Sequence, residues 1–422
     1  MLPEGWLSFY DKNILLLQGP VGPFFAKLCR TLVRTGARSV HKINFNGGDW
    51  LFYPRDAVSY RGAAHDWPAF LDRILAERNI DTIMLFGDCR PLHMMARHLA
   101  RKRGIDTWVF EEGYVRPDFV TMERGGTNGH SSLPKDAEFY RMLPEPTPRE
   151  EFTVGNSFPS MVVWGGLYGA AAWIAQGWFP RYCHHRPLTP VDGAKWLRAA
   201  WRKIVYRLHE RGTLDYLTGC KTRQYFLVSL QTAIDAQIRV HSRFASLEAF
   251  IDDVIRSFAA RGVEAYDLVF KHHPLDRGHT DYRRAIQGAA ERYGVASRVL
   301  YIHDQHLPTL LAHAAGLVVV NSTVGLSGIH HGLPVKALGK AIYDIPGLTF
   351  QGSLDRFWAE SASFRPDMAL YGRFRRYVID HTQLTGSFYV GDIVSVVDRA
   401  DLSVDDWQAK GPSAQQDAGE IA

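Results

Sequence analysis

Cysteine is scarce in this chain. There are four in 422 residues, Cys29, Cys89, Cys183 and Cys220, none in a C-x-x-C pair and none spaced like a zinc site. They read as reduced, mostly buried thiols of a cytosolic protein rather than a disulfide framework. The phosphate-cradling pattern G-x-x-x-x-G-K-[ST] is absent. A large charge excess is lacking too: 49 basic residues against 44 acidic ones leave a formal net charge of +5. That is too little to argue for nucleic acid as a partner, although it suits anionic substrates or an anionic membrane face. Met1 to Gly5 contain no basic segment leading into an apolar one, so no secretory leader is expected.

What is present fits a folded α/β protein. The length suits two domains, and 46% hydrophobic with 22% charged residues is ordinary globular composition. Apolar runs that end in glycine or an acidic residue recur through the first half: Ile14–Gly19, Thr82–Asp88 and Thr107–Gly113. Phe24 to Val33 follows the first of these with a helical pattern. The second half repeats the rhythm with Tyr225–Gln231, Asp267–Lys271, Val299–Ile302 and Gly316–Asn321 as strands, and Leu247–Ala260 and Leu307–Ala314 as helices. Two such alternations predict two doubly wound, Rossmann-like domains facing a central cleft, with ligands at the carboxyl edges of the strands. The expected boundaries are 1–220 and 221–390, then a helix at 391–408 and a disordered polar tail at 409–422.

One segment departs from this rhythm. Phe152 to Pro180 contains no Asp, Glu, Lys or Arg, and an insertion near 158–186 is flanked by Trp178, Phe179, Arg181, His184, His185 and Arg186. It is long enough to span a bilayer, but Gly165, Gly166, Gly169, Gln176 and Gly177 lower its hydrophobicity. A spanning helix, a helix lying in the membrane interface and a buried helix all remain open.

Three motifs carry chemistry. Glu111-Glu112-Gly113 sets adjacent carboxylates at a strand end, where one can act as base or nucleophile while the other holds the loop; an acidic surface turn is the plain alternative. In Lys271-His272-His273-Pro274 the proline fixes the backbone and an imidazole can donate to a phosphate oxygen. Asn321-Ser322-Thr323 follows a buried strand and opens a helix, a pattern that caps helices and binds phosphate. Asp-x-Asp is absent, and neither His184-His185 nor His330-His331 has metal-ligand spacing. No metal or cofactor is therefore expected. The combination, with acidic pair first and His-Pro and Ser-Thr motifs second, is the layout of a GT-B glycosyltransferase with a CMP-sugar donor.

Longer matches point to a family. Phe110-Glu111-Glu112-Gly113-Tyr114-Val115-Arg116-Pro117-Asp118 with Thr121-Met122-Glu123, Phe86 to Arg90, Leu230-Gln231 with Asp235 to Ile238, His272-His273-Pro274, Asn321-Ser322-Thr323 and Leu384 to Tyr389 together resemble the capsular polysaccharide proteins of the KpsS/LipB type. The resemblance spans roughly residues 13 to 389. It implies a bacterial, retaining β-Kdo transferase that takes Kdo from CMP-β-Kdo and places it on a phosphatidylglycerol-type lipid, starting the poly-Kdo linker of a capsule. By match Glu112 is the catalytic carboxylate, and Glu111 orients the loop or serves as base. His273, Ser322, Thr323, Lys271, Pro274, Asn321 and Gln231 surround the donor, and Arg90 and Arg116 are candidates for the Kdo carboxylate. Arg116 reads equally as a structural partner of Glu111 or Glu112. The partners implied are CMP-Kdo, a lipid acceptor at the inner membrane and a capsule biosynthesis or export complex, with no nucleic acid. Such a protein is cytoplasmic and peripheral to the inner membrane. A sugar-nucleotide epimerase or hydrolase of the same fold, or a non-catalytic export component, are the rival readings.

Overall fold

A computed structural model describes residues 8–147, 153–182, 190–232 and 236–391. The helix expected at 391–408, the tail at 409–422, Cys183 and the His184–His185 pair lie outside the described residues. Two sheets organise the chain. The first has seven strands in the order β12-β6-β5-β4-β1-β2-β3, and the second has five in the order β11-β10-β7-β8-β9. The first-sheet strands are β1 Asn13–Leu16, β2 Ser39–Asn44, β3 Ala57–Ser59, β4 Thr82–Phe86, β5 Asp106–Glu112, β6 Phe119–Arg124 and β12 Gln383–Thr385. The second sheet comprises β7 Tyr225–Ser229, β8 Asp267–Lys271, β9 Val299–Ile302, β10 Gly316–Val319 and β11 Val335–Ala337.

The apolar runs are continuous because both faces of each sheet are covered. Leu16, Met84 and Phe110 face Phe24, Leu28 and Phe388 on one side of the first sheet. Leu15, Ile83, Leu85 and Val109 face Trp67, Leu71 and Ile74 on the other. The second sheet splits in the same way: Leu227, Val269 and Leu317 enter one core, and Phe226, Phe270 and Val318 enter the other. Its pairings are all parallel.

The first sheet is not wholly parallel. β6 runs antiparallel to β5, and β12 runs antiparallel to β6. The expected division at residue 220 therefore needs correcting, because residues 383–385 lie beyond the second sheet in sequence yet complete the first. Traffic also runs the other way. Leu133, Ala137 and Tyr140, from the first half, pack into a core of the second beside Phe374 and Tyr377. Helix Met368–Thr382 carries the chain back across.

The uncharged segment forms helix Phe158–Ile174 and continues as a 3-10 turn through Trp178. Phe158–Trp178 is long and apolar enough to cross a membrane. It is docked side-on: Tyr168 is 3% exposed, whereas Ile174 is 71% and Trp178 63% exposed. The buried face rests on helix Gly47–Phe52. A Cβ on Gly47 would sit 2.2 Å from the Ala171 carbonyl oxygen, so the contact admits only glycine. Gly47→Ala is expected to destabilise the protein by about 1–3 kcal/mol, as overpacked sites do. Urea denaturation checks this, and an unchanged midpoint would mean that the helix is free to move away.

Candidate active site at the sheet edges

β5 brings the acidic pair to the carboxyl edge of the first sheet. Side chains alternate along a strand, so the two carboxylates leave on opposite faces. Glu112 follows Phe110, and its Oε1 accepts a hydrogen bond from the Tyr389 hydroxyl at 3.1 Å. It lines a small cavity of about 60 Å³ together with Asp118, Val154, Ser157 and Tyr389. Glu111 follows Val109 onto the other face. Its Oε1 accepts from the Glu112 backbone N–H at 3.2 Å. Burial, opposed by that hydrogen bond and by Arg90, pushes its carboxyl up to about 7.

Arg90 connects Glu111 to a buried polar network. Its guanidinium lies 5.0 Å from the centre of the Phe86 ring and donates to Gln18 Oε1 at 2.8 Å. Gln18 Nε2 donates to the hydroxyls of Tyr168, at 3.0 Å, and Tyr182, at 2.9 Å. The Tyr168 hydroxyl donates in turn to Asp49 Oδ1 at 2.9 Å. The apolar helix is thus tied through Tyr168 to the edge that carries Glu111. Sequence reasoning missed Gln18, Asp49, Tyr168 and Tyr182, which lie in three separate segments with no shared motif.

The rest of the acidic motif builds the loop. A Cβ on Gly113 would meet the Phe119 carbonyl oxygen at 2.2 Å, which explains why glycine follows the pair. Gln383 Oε1, from β12, accepts from the Tyr114 N–H at 2.9 Å. The Tyr114 and Ser131 hydroxyls donate to the two oxygens of Glu123, whose carboxyl burial raises to about 7. Arg116 pairs with neither carboxylate. It is exposed and donates to the Gly113 carbonyl at 3.0 Å, so its contact is a loop brace. This corrects the reading of Arg116 as a partner of Glu111 or Glu112.

In the second half, His273 caps the short turn Pro274–Asp276. Its Nδ1 accepts from the Leu275 N–H at 3.2 Å, leaving the ring proton on Nε2. Gln231 Nε2 donates to Asn321 Oδ1 at 3.0 Å, joining the ends of β7 and β10. Ser322 Oγ accepts from the Val324 N–H at 3.2 Å, and the Tyr343 hydroxyl donates to the Ser322 carbonyl. Thr323 stands at the N-cap of helix Val324–His330 but makes no side-chain cap hydrogen bond. The capping role expected of the hydroxyl pair is therefore borne by Ser322 alone. Lys271 is 6% exposed, and its ammonium turns to the His303 carbonyl at 3.3 Å. Lys271 ends β8 inside the domain, and its ammonium already has this protein partner.

A further group lies where the halves touch. Asp88 and Cys89 follow β4, His130 ends the turn Asn128–His130, and His241 closes helix Ala236–His241 of the second half. Cys89 Sγ lies 3.4 Å from His241 Nε2. Burial pushes the Cys89 thiol up and brings His241 down to about 4. Beside His241 opens a groove of about 780 Å³ lined by Arg243, Lys336, Gly339, Lys340 and Asp355. No residue selected from the sequence lines this groove.

Two α/β lobes, each built on a largely parallel sheet, with a carboxylate pair at the carboxyl edge of the first, make a GT-B-like fold. A family model described as capsule polysaccharide biosynthesis protein matches residues 81–389, and the chain belongs to that family. It is similar to the capsule polysaccharide export protein KpsS of Escherichia coli, with 42% identity over 387 residues, covering 90% of this chain and 97% of that one. It is also similar to the capsule polysaccharide modification protein LipB of Neisseria meningitidis serogroup B, with 36% identity over 387 residues and 90% and 92% of the two chains. Among solved structures, a Thermosulfurimonas dismutans KpsC described as a beta Kdo 2,4 transferase shares 13% identity, covers 93% of this chain and 99% of that one, and has a TM-score of 0.39. The resemblance drawn from the motifs is borne out at the level of the family.

Proposed function

We propose that the chain is a retaining β-Kdo transferase that moves Kdo from CMP-β-Kdo to a phosphatidylglycerol-type lipid and so starts the poly-Kdo linker of a bacterial capsule. The observation that carries this reading is the split acidic pair: two adjacent carboxylates at a sheet edge that leave on opposite faces, one with its carboxyl up at about 7 and one accepting from the Tyr389 hydroxyl. Such a division suits two different roles. Glu112 attacks the anomeric carbon, the bond from that carbon to the phosphate oxygen breaks, and CMP departs with the electron pair. His273 Nε2–H and the Ser322 and Thr323 loop stabilise the phosphate as it leaves. The lipid hydroxyl then displaces Glu112 and yields its proton to Glu111, and the two inversions give net retention. Arg90 remains the candidate for the Kdo carboxylate through a forked contact. The transfer needs no metal ion.

The lipid acceptor requires approach to a membrane from the cytoplasm. Side-on docking through Tyr168 favours a helix lying in the interface over one that spans, because the α/β lobe to which it is fixed could not follow it into hydrocarbon. Helix Pro190–His209 adds an exposed apolar stripe of Leu197, Trp201, Ile204 and Leu208 beside Lys203 and Arg207. Trp173→Ser with Trp178→Ser is expected to cut sedimentation with phosphatidylglycerol vesicles severalfold, and undiminished sedimentation would remove this surface from the proposal.

The decisive assay offers CMP-Kdo to the purified protein with and without the lipid. Release of CMP that depends on acceptor, with Kdo recovered on the lipid, is the expected result. Release without acceptor would instead mark a hydrolase or epimerase, and no release would mark a non-catalytic component.

A further inference from the structure

We propose that Asp88, Cys89, His130 and His241 form a binding site for a zinc-type transition-metal ion that clamps the two halves of the molecule together. One donor atom from each of the four lies within 4.8 Å of the others. Three donors belong to the first half, and His241 belongs to the second. Asp88 and Cys89 leave the end of β4, and Asp88 is fully buried.

The geometry is close to what an ion needs. Cys89 Sγ stands 3.4 Å from Asp88 Oδ1 and 3.4 Å from His241 Nε2. A tetrahedral ion with metal–sulfur bonds of about 2.3 Å and metal–nitrogen or metal–oxygen bonds of about 2.0 Å separates its ligands by roughly 3.5 Å. The two Asp88 oxygens are divided in use. Oδ2 faces the Thr127 N–H at 3.2 Å, Arg97 Nη1 at 3.1 Å and His130 Nδ1 at 2.9 Å. Oδ1 is the oxygen turned to the thiol. Arg97 pairs with Oδ2 through Nη1, which also lies 3.2 Å from His130 Nδ1, and its Nε and Nη2 donate to the Gly125 carbonyl at 3.1 and 2.6 Å. The rings of His130 and His241 meet edge to face with centres 4.4 Å apart.

The donor set selects the ion. One thiol, two imidazoles and one carboxylate suit Zn²⁺ and its neighbours, whereas Mg²⁺ and Ca²⁺ take oxygen ligands. His130 is about one-third exposed, which gives an ion a path from solvent. On binding, the Cys89 S–H bond breaks, its proton passes to water, and a sulfur–metal bond forms with no change of oxidation state. The ion takes no part in sugar transfer, so the inference stands apart from the function proposed above.

The test uses the full chain, stripped with a chelator and titrated with Co²⁺. The expected result is one equivalent bound, with a thiolate-to-cobalt charge-transfer band that Zn²⁺ displaces. Cys89→Ser should abolish the band, and His241→Ala should weaken Zn²⁺ binding more than about tenfold, since even loss of an outer-shell partner costs that much. Zn²⁺ should also raise the melting temperature of the wild type but not that of His241→Ala. Wild-type protein that takes up Co²⁺ without the band, or takes up none, overturns the proposal whatever becomes of the variants. So does Zn²⁺ affinity unchanged by both substitutions.

Discussion

Replacing Glu112 by Gln is expected to lower acceptor-dependent CMP release by about a thousandfold or more while leaving the fold intact, because the amide keeps the shape of the side chain and loses the nucleophile. The Tyr389 hydroxyl still finds an oxygen to donate to at position 112. Mass spectrometry of the wild type under turnover should show Kdo on Glu112, and the Gln variant should show none. If Glu112→Gln retained a tenth of the wild-type rate, Glu112 would be a loop residue and the search for the nucleophile would pass to Glu111.

Glu111→Gln carries the second large effect, and it is one of stability. The Glu111 carboxyl is raised from 4.5 to about 7 in the folded protein. Between those values the native state binds a proton that the unfolded state has released, so stability falls as pH rises through this window. The deficit is absent below about pH 4.5 and complete above about pH 7. At about 1.4 kcal/mol per unit, it amounts to roughly 3 kcal/mol at pH 8. Gln carries no such charge and can still accept from the Glu112 N–H. The variant should therefore resist urea better than wild type at pH 8, with the advantage fading towards pH 5, while transfer falls. Paired unfolding curves at the two pH values decide the matter; an advantage independent of pH would rule out the buried charge as its source. Glu123, raised in the same way, is present in both proteins and cancels from the comparison.

Strands buried on both faces were legible because their apolar runs need no partner to be recognised. β8 and β9 match their expected limits residue for residue, and helix Phe24–Arg34 differs from its expected extent by one position. Strands with short or mixed polar sequence were not legible. β2 reads SVHKIN, and β12 is only three residues long. β6 lay inside the acidic motif, where its residues invited a chemical reading instead of a structural one. Of the site, the strand-end placement of Glu111 and Glu112 followed from the sequence. The direction of each side chain did not, and neither did the commitment of Lys271 to the His303 carbonyl, since both depend on packing. The Asp88, Cys89, His130 and His241 group was invisible for a different reason. Its members are spread over more than a hundred and fifty positions, and only folding brings them together.

The pairing of β12 with β6 has a consequence for the order of synthesis. The first sheet emerges from the ribosome with the outer edge of β6 open, and it stays open until residues 383–385 follow. Gln383, which receives the Tyr114 N–H, arrives at the same late moment. A nascent chain can therefore assemble most of its first lobe early, but it cannot lock the loop after Glu112 until residues 383–385 have been translated. Termination anywhere before residue 383 should leave an inactive product with an unpaired strand edge, the kind of surface through which incomplete chains associate.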